Sequence, residues 1–261
     1  MVWLTSVPTW LSALVIIGGG TLLAMLGPSL VRRYVDLQRL STNNEVAGFK
    51  FATVGVLYAV LLGFAIIVVW ERFNDADAEV GQEAAAAASL YRLDPGFDAQ
   101  EASALRTALD TYLRTAVAED WPAMARGGDS EAVDRALSEV YRAIMSPPAA
   151  DRRDAVLMAQ ALSEAAAMTQ ARRARVVMAA GTVPGVLWLV LFGGAVVTVC
   201  FTFFFGTQNL RAQTLMTALL ALLVFGGLEV IVSIDHPFAG AVRVTPEALL
   251  TVLDDAGLRA P

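Results

Sequence analysis

The chain has 261 residues, 56% of them hydrophobic, with a mean hydropathy of +0.57 and a net charge of −6. It is too apolar for an ordinary soluble domain and fits a protein partly in lipid and partly out. The acidic balance, with no basic tract, gives no reason to expect a nucleic-acid partner. One cysteine (Cys200) and one histidine (His236) exclude an intrachain disulfide, a thiol metal site or a two-histidine metal motif.

Residues 1–8 carry no charged side chain, and Trp10 to Val31 is apolar enough to cross a membrane, with Gly18, Gly19 and Gly20 at its middle. A cleaved signal peptide is not expected, because the basic n-region is missing and the run is too long. Arg32, Arg33, Arg39 and Lys50 fill a short loop, and a second span follows from Phe51 to Trp70. A helix needs roughly 20 apolar residues to cross about 30 Å of hydrocarbon, and this run supplies them. Gly48, Ala52, Gly55, Ala59 and Gly63 recur at helical spacing and form a small-residue stripe, of which Gly55, Ala59 and Gly63 are the expected helix-packing residues. The bulky side holds Val54, Leu57, Tyr58, Leu61, Phe64 and Val68, for lipid, a partner helix or a pore.

From Glu71 good helix formers continue without a break signal, so the second span's helix is expected to run out of the bilayer until Asp94-Pro95-Gly96 stops it. Asp98, with Glu101 three residues on, predicts a capping box opening a helix with an apolar stripe of Leu105, Leu109, Tyr112, Leu113, Ala116 and Val117. Trp121-Pro122 and Gly127-Gly128 mark the next turn. A third helix presents Val133, Leu137, Val140, Tyr141 and Ile144 and ends at Pro147-Pro148. A stretch from Asp151 to Ala180 leads towards the third span, so 71–183 reads as a four-helix unit whose first and last helices extend membrane helices. Spans at 184–205 and 213–234 form a second hairpin to match 1–70. The tail, 235–261, reads as a turn, a short strand at Ala241–Val244 and a helix from Thr245 opened by Pro246. The fold class is all-α: a four-span membrane protein with a helical insert between spans two and three.

Orientation follows Lys and Arg near the spans. Arg32, Arg33, Arg39, Lys50 and Arg211 lie on one side and Arg72, Arg172, Arg173, Arg175 and Arg243 on the other, a tie. The first span breaks it, having basic residues only after it, which puts the N-terminus and the insert outside the cytoplasm.

Glu229 is an acid inside the fourth span, either functional by default or close enough to the headgroups to reach water. Asp235-His236-Pro237-Phe238-Ala239-Gly240 ends that span. It reads as a helix stop and anchored turn more readily than as a ligand turn. Asn43, Asn44 and Glu45 precede the second span, as helix caps or as an ion site at a pore mouth. Arg172, Arg173 and Arg175 read as an anion-attracting cluster or a solvated basic collar. No nucleophile–base pair, P-loop, dinucleotide fingerprint or zinc-spaced ligand set is present, so catalytic residues, a metal and a cofactor are not expected.

Asn43–Glu71 and Asp235–Gly240, with the spacing between them, resemble the bacterial bestrophin-like family. Bestrophins are pentameric anion channels whose second span lines a narrow apolar neck. The resemblance therefore implies a homo-oligomer, pentameric on that pattern, that passes inorganic anions across a bacterial inner membrane. Carried over by place, it sets Leu57, Leu61, Phe64 and Val68 near the pore axis. It also implies a cytosolic insert, against the charge bias. Two rival readings stand beside the channel: a sensor whose insert binds a ligand or partner, and a proton-coupled subunit using Glu229.

Overall fold

The computed structural model describes residues 9–146 and 152–258. Among them, four helices are long and apolar enough to span a membrane: α1 (Trp10–Tyr34), α3 (Asn44–Leu93), α7 (Gly185–Phe201) and α8 (Leu210–Ile234). Further helices are α2 (Leu37–Thr42), α4 (Ala99–Thr115), α5 (Glu131–Met145), α6 (Arg152–Met178) and α9 (Glu247–Leu258), with a short turn of helix at Trp121–Met124. The chain divides into two compact units. One holds the chain up to Glu71 with Thr182–Asp235, and the other holds Arg72–Gly181 with the chain from His236 onward.

In the first unit, aromatic and aliphatic side chains seat in gaps left by glycines. A Cβ built on Gly20 would meet the Phe225 ring at 2.7 Å, and one on Gly27 would meet Phe203 at 2.3 Å. The same device docks α3: Tyr58 lies against Gly194 of α7 and Leu62 against Gly227 of α8. Missing side chains let these helices approach closely, which is what holds apolar helices together where lipid is as apolar as the core. α1 also carries a π-helical stretch at Leu14–Gly19. Of its three consecutive glycines, Gly20 makes the close contact and Gly19 faces open space.

The second unit is a bundle of the outer half of α3 with α4, α5, α6 and α9. Ala84, Ala86 and Ala87, from the five consecutive alanines 84–88, belong to its core beside Leu90, Leu109, Tyr112, Val140 and Met168. Asp98 caps α4 by accepting from the N–H groups of Gln100 and Glu101 at 2.9 and 2.8 Å, while Glu101 accepts from the Asp98 N–H at 3.2 Å. That is the reciprocal capping box. The tail belongs to the same core through Phe238, Val244, Leu249 and Leu253. Residues 1–8, Pro147-Pro148 and Asp151 lie outside the described residues.

Two expectations are corrected. α6 does not run on into the third span. It ends at Met178, and Gly181 (φ +86°) and Pro184, the N-cap residue of α7, turn the chain first. Only glycine fits there: its φ is left-handed, and a Cβ would lie 2.7 Å from the His236 ring. Ala241–Val244 is not a strand, since no neighbouring strand exists among the described residues. Val244 instead donates its N–H to the Pro237 carbonyl at 2.7 Å and accepts from Trp121 Nε1 at 3.2 Å. Of the bulky side, expected to meet lipid, a partner helix or a pore, Tyr58 meets a partner helix, with its hydroxyl on the Leu191 carbonyl at 3.0 Å. A buried phenol needs such a partner.

Candidate functional site on the second span

The membrane-spanning part of α3 has one packed side, formed by Tyr58, Leu62, Ala65 and Val69, with Tyr58, Ala65 and Val69 buried. The rest is bare within the chain. Leu57, Phe64 and Val68 are 68%, 64% and 51% exposed, whereas Leu61 is half-buried beside the packed side. The helical phase of 100° per residue puts Val56, Val60 and Ile67 opposite Tyr58 and Ala65, with Phe64 between them and Leu57, and all four are exposed. Val56, Val60 and Ile67 were missed from sequence. Their signal is the spacing 56, 60, 64, 67, hidden because neighbouring positions are equally apolar. Gly55, Ala59 and Gly63 occupy a separate flank. Among the described residues no other part of the chain lies within 4 Å of a Cβ at Gly55 or Gly63, and Ala59 is exposed. Between Glu45 and Glu71 the helix carries no acid and one base, Lys50, which is exposed.

Below this face the start of α3 is clamped rather than capped. Asn44 Nδ2 donates to the Gly206 carbonyl at 2.8 Å, and Asn44 Oδ1 accepts from the Gly206 N–H at 2.9 Å. α2 leads into α3 through Asn43 alone, so the Asn44 side chain is released from end-capping and grips the loop between spans three and four. Asn43 and Glu45 are exposed. Arg32, also missed as more than a loop charge, ties down the same loop. It donates to the Thr207 carbonyl and to Gln213 Oε1, the latter at 2.8 Å.

Glu229 is 7% exposed, so it does not reach water within the chain. Its Oε1 accepts from Ser12 Oγ at 2.7 Å and Ser233 Oγ at 3.2 Å, and its Oε2 is buried with no hydrogen-bond partner among the described residues. Ser12, 217 positions away, was not foreseen. Asp235 accepts from the N–H groups of Thr182 and Val183 at 3.0 and 2.8 Å, fastening the break before α7. In the second unit Phe238 is 1% exposed and meets Trp121 edge-on, with ring centroids 6.0 Å apart. The Ala239 N–H donates to the His236 carbonyl at 3.0 Å, and Gly240 (φ +81°) closes the turn.

The arginine cluster is neither an anion attractor nor a solvated collar. Arg175 is fully buried, with Nε on Glu83 and Nη2 on Asp120 at 3.0 Å, and its guanidinium lies 4.7 Å over the Trp121 ring. Arg172 pairs with Asp120 at 2.8 Å and with Asp134. Tyr112 donates to Glu83 Oε1 at 2.5 Å. Burial alone would lower both guanidinium pKa values, yet Glu83 around Arg175 and Asp120 around Arg172 hold them above the ordinary arginine range. Both stay charged and fully spent on their partners, leaving Arg173 exposed.

The sequence profile of the bestrophin-like domain matches residues 18–249. The chain belongs to the bestrophin-like family. Among curated proteins none matches it. The fold is also that of solved bestrophin homologues. A point variant of a bacterial bestrophin homologue from Klebsiella pneumoniae superposes with a TM-score of 0.75 at 15% identity, covering 93% of this chain and 99% of that one. A second crystal structure of a bacterial bestrophin homologue from Klebsiella pneumoniae gives a TM-score of 0.71 at 15% identity, covering 94% and 100%. At this identity the likeness establishes the shared bestrophin-like fold, not shared residues.

Proposed function

We propose that this bestrophin-like chain is the subunit of a homo-oligomeric ion channel whose pore is lined by α3. One observation carries the reading: a bare, bulky, acid-free face on a membrane helix whose opposite side is packed. Copies arranged around an axis would turn that face, with Leu57, Phe64 and Val68 from the expected set and Val56, Val60 and Ile67 beside them, towards a narrow apolar constriction. The small flank at Gly55, Ala59 and Gly63 then suits contact with the adjacent copy. On the bestrophin pattern the proposed ring is a pentamer and its ions are anions. With Arg172 and Arg175 spent in ion pairs, Lys50 at the start of the span supplies the positive mouth.

The test is particle imaging of nanodisc-embedded protein with symmetry left free, joined to bilayer recordings under a chloride gradient. A ring with α3 around an axial path is expected, with a reversal potential shifted towards chloride. Phe64→Ala should raise the current severalfold by widening the constriction. A monomer, or a packed dimer without an axial path, would sink the channel. The buried Glu229 supports the proton-coupled alternative; that reading predicts loss of activity in Glu229→Gln, whereas the channel predicts an unchanged current.

For orientation the charge bias is retained: the Arg32–Lys50 end faces the cytoplasm of a bacterial inner membrane and the helical unit faces out. A C-terminal alkaline phosphatase fusion should then be active and a C-terminal green fluorescent protein dark. The reverse result puts the unit in the cytosol.

A further inference from the structure

The helical unit contains a cavity of about 500 Å³ between the end of α3, α4 and α9. Pockets that bury small molecules run from about 300 to 1,000 Å³. Its walls are apolar at Ala88, Val252, Leu253 and Ala256, while charged side chains converge from all three helices. Some of that charge is already committed. Arg106 is ion-paired to Asp94, and the Tyr91 hydroxyl donates to Asp110. Burial and the Asp110 carboxylate push the Tyr91 hydroxyl far above the ordinary phenol range, so it stays a donor and keeps Asp110 occupied.

What remains is two cations and one acid. Arg92 and Arg114 line the cavity and make no ion pair among the described residues, and Asp255 faces them from α9 with none either. Arg106, Asp110 and Arg114 follow at intervals of four, so α4 presents them in one row to the cavity. Elsewhere in the unit buried arginines are matched to acids, as Arg172 and Arg175 are. Two unmatched guanidinium groups facing an apolar-walled cavity are a recognition pair for a carboxylate or phosphate carried on an organic body.

We propose that this cavity is a binding site for a small organic anion, held through its acidic group by Arg92 and Arg114 and through its body by Val252, Leu253 and Ala256. The inference stands whether or not the chain conducts ions. The probes are citrate, a carboxylate, and AMP, a phosphate on an aromatic body, titrated calorimetrically into the full chain in nanodiscs. Saturable binding of at least one is expected, and which one binds separates the carboxylate from the phosphate source. Arg92→Gln and Arg114→Gln should each weaken it about tenfold or more, the scale of one lost charge-assisted hydrogen bond. Asp255→Asn, which removes a like charge, should tighten it. Both arginines are exposed and make no ion pair among the described residues, so their variants should keep the wild-type melting midpoint. Arg135→Gln, an exposed arginine outside the cavity, should bind as wild type does. No saturable heat with either probe would overturn the proposal. So would undiminished binding in the double arginine variant, or equal weakening in Arg135→Gln.

Discussion

Arg175→Ala is expected to cost the helical unit about 3–5 kcal/mol, the usual price of breaking a buried ion pair by removing one partner. The loss comes from what is left behind. Glu83, fully buried, would lose the cation it faces, Asp120 would keep only Arg172, and Trp121 would lose the guanidinium over its ring. Nothing else among the described residues can neutralise Glu83, whose other oxygen already accepts from Tyr112. In detergent-solubilised protein this should lower the midpoint of thermal loss of the monodisperse peak by on the order of 10 °C. Adding Glu83→Gln should recover part of the loss, because the amide still accepts from Tyr112 but leaves no orphan charge. A midpoint within a degree or two of wild type would show the network to be dispensable. The sign does not depend on pH near neutrality, since both guanidinium groups stay charged.

The spans were legible because each is a long apolar run, and the α4 cap because Asp98 and Glu101 are local partners. What faces what inside the membrane was not. Lipid and core are both apolar there, so hydrophobic periodicity does not tell the packed side of α3 from the bare one. Tyr58 therefore carries the same sequence signature as Leu57 and Leu61, and nothing in the sequence singles out the exposed row at Val56 and Val60. The decisive marker, glycine holes at Gly194 and Gly227, lies more than 130 residues further on. Ion pairing failed for a similar reason. In sequence alone Arg172 and Arg175 look like a surface cluster in a helix expected to continue to the membrane. Their partners Glu83 and Asp120 sit 92 and 52 positions away from Arg175 and Arg172 respectively. The interruption after α6 was masked by the good helix formers up to Ala180, with a single glycine carrying the left-handed turn.

Phe238→Ala should be the most damaging substitution in the Asp235–Gly240 turn, at about 3–5 kcal/mol for truncating a buried phenylalanine. The ring is 1% exposed and belongs to the core that also holds Leu249 and Leu253. Its edge-on contact with Trp121 adds a pair interaction on the order of 1 kcal/mol. Trp121 in turn donates to the Val244 carbonyl and carries Arg175 over its ring, so the turn, the tail and the buried ion network meet on one indole. Two consequences can be measured. The melting midpoint should fall by on the order of 10 °C, and limited proteolysis should cut the tail between Ala239 and Glu247 much faster than in wild type. Phe238→Leu, which keeps most of the volume, should cost far less. Because both side chains act through Trp121, the losses in Phe238→Ala and Arg175→Ala should not add. A turn that served as a ligand site or pore mouth would respond differently, with a wild-type midpoint, a protected tail and altered activity alone. That outcome would return the motif to the functional candidates; a cooperative loss of stability leaves it as the anchor that ties the tail into the helical unit.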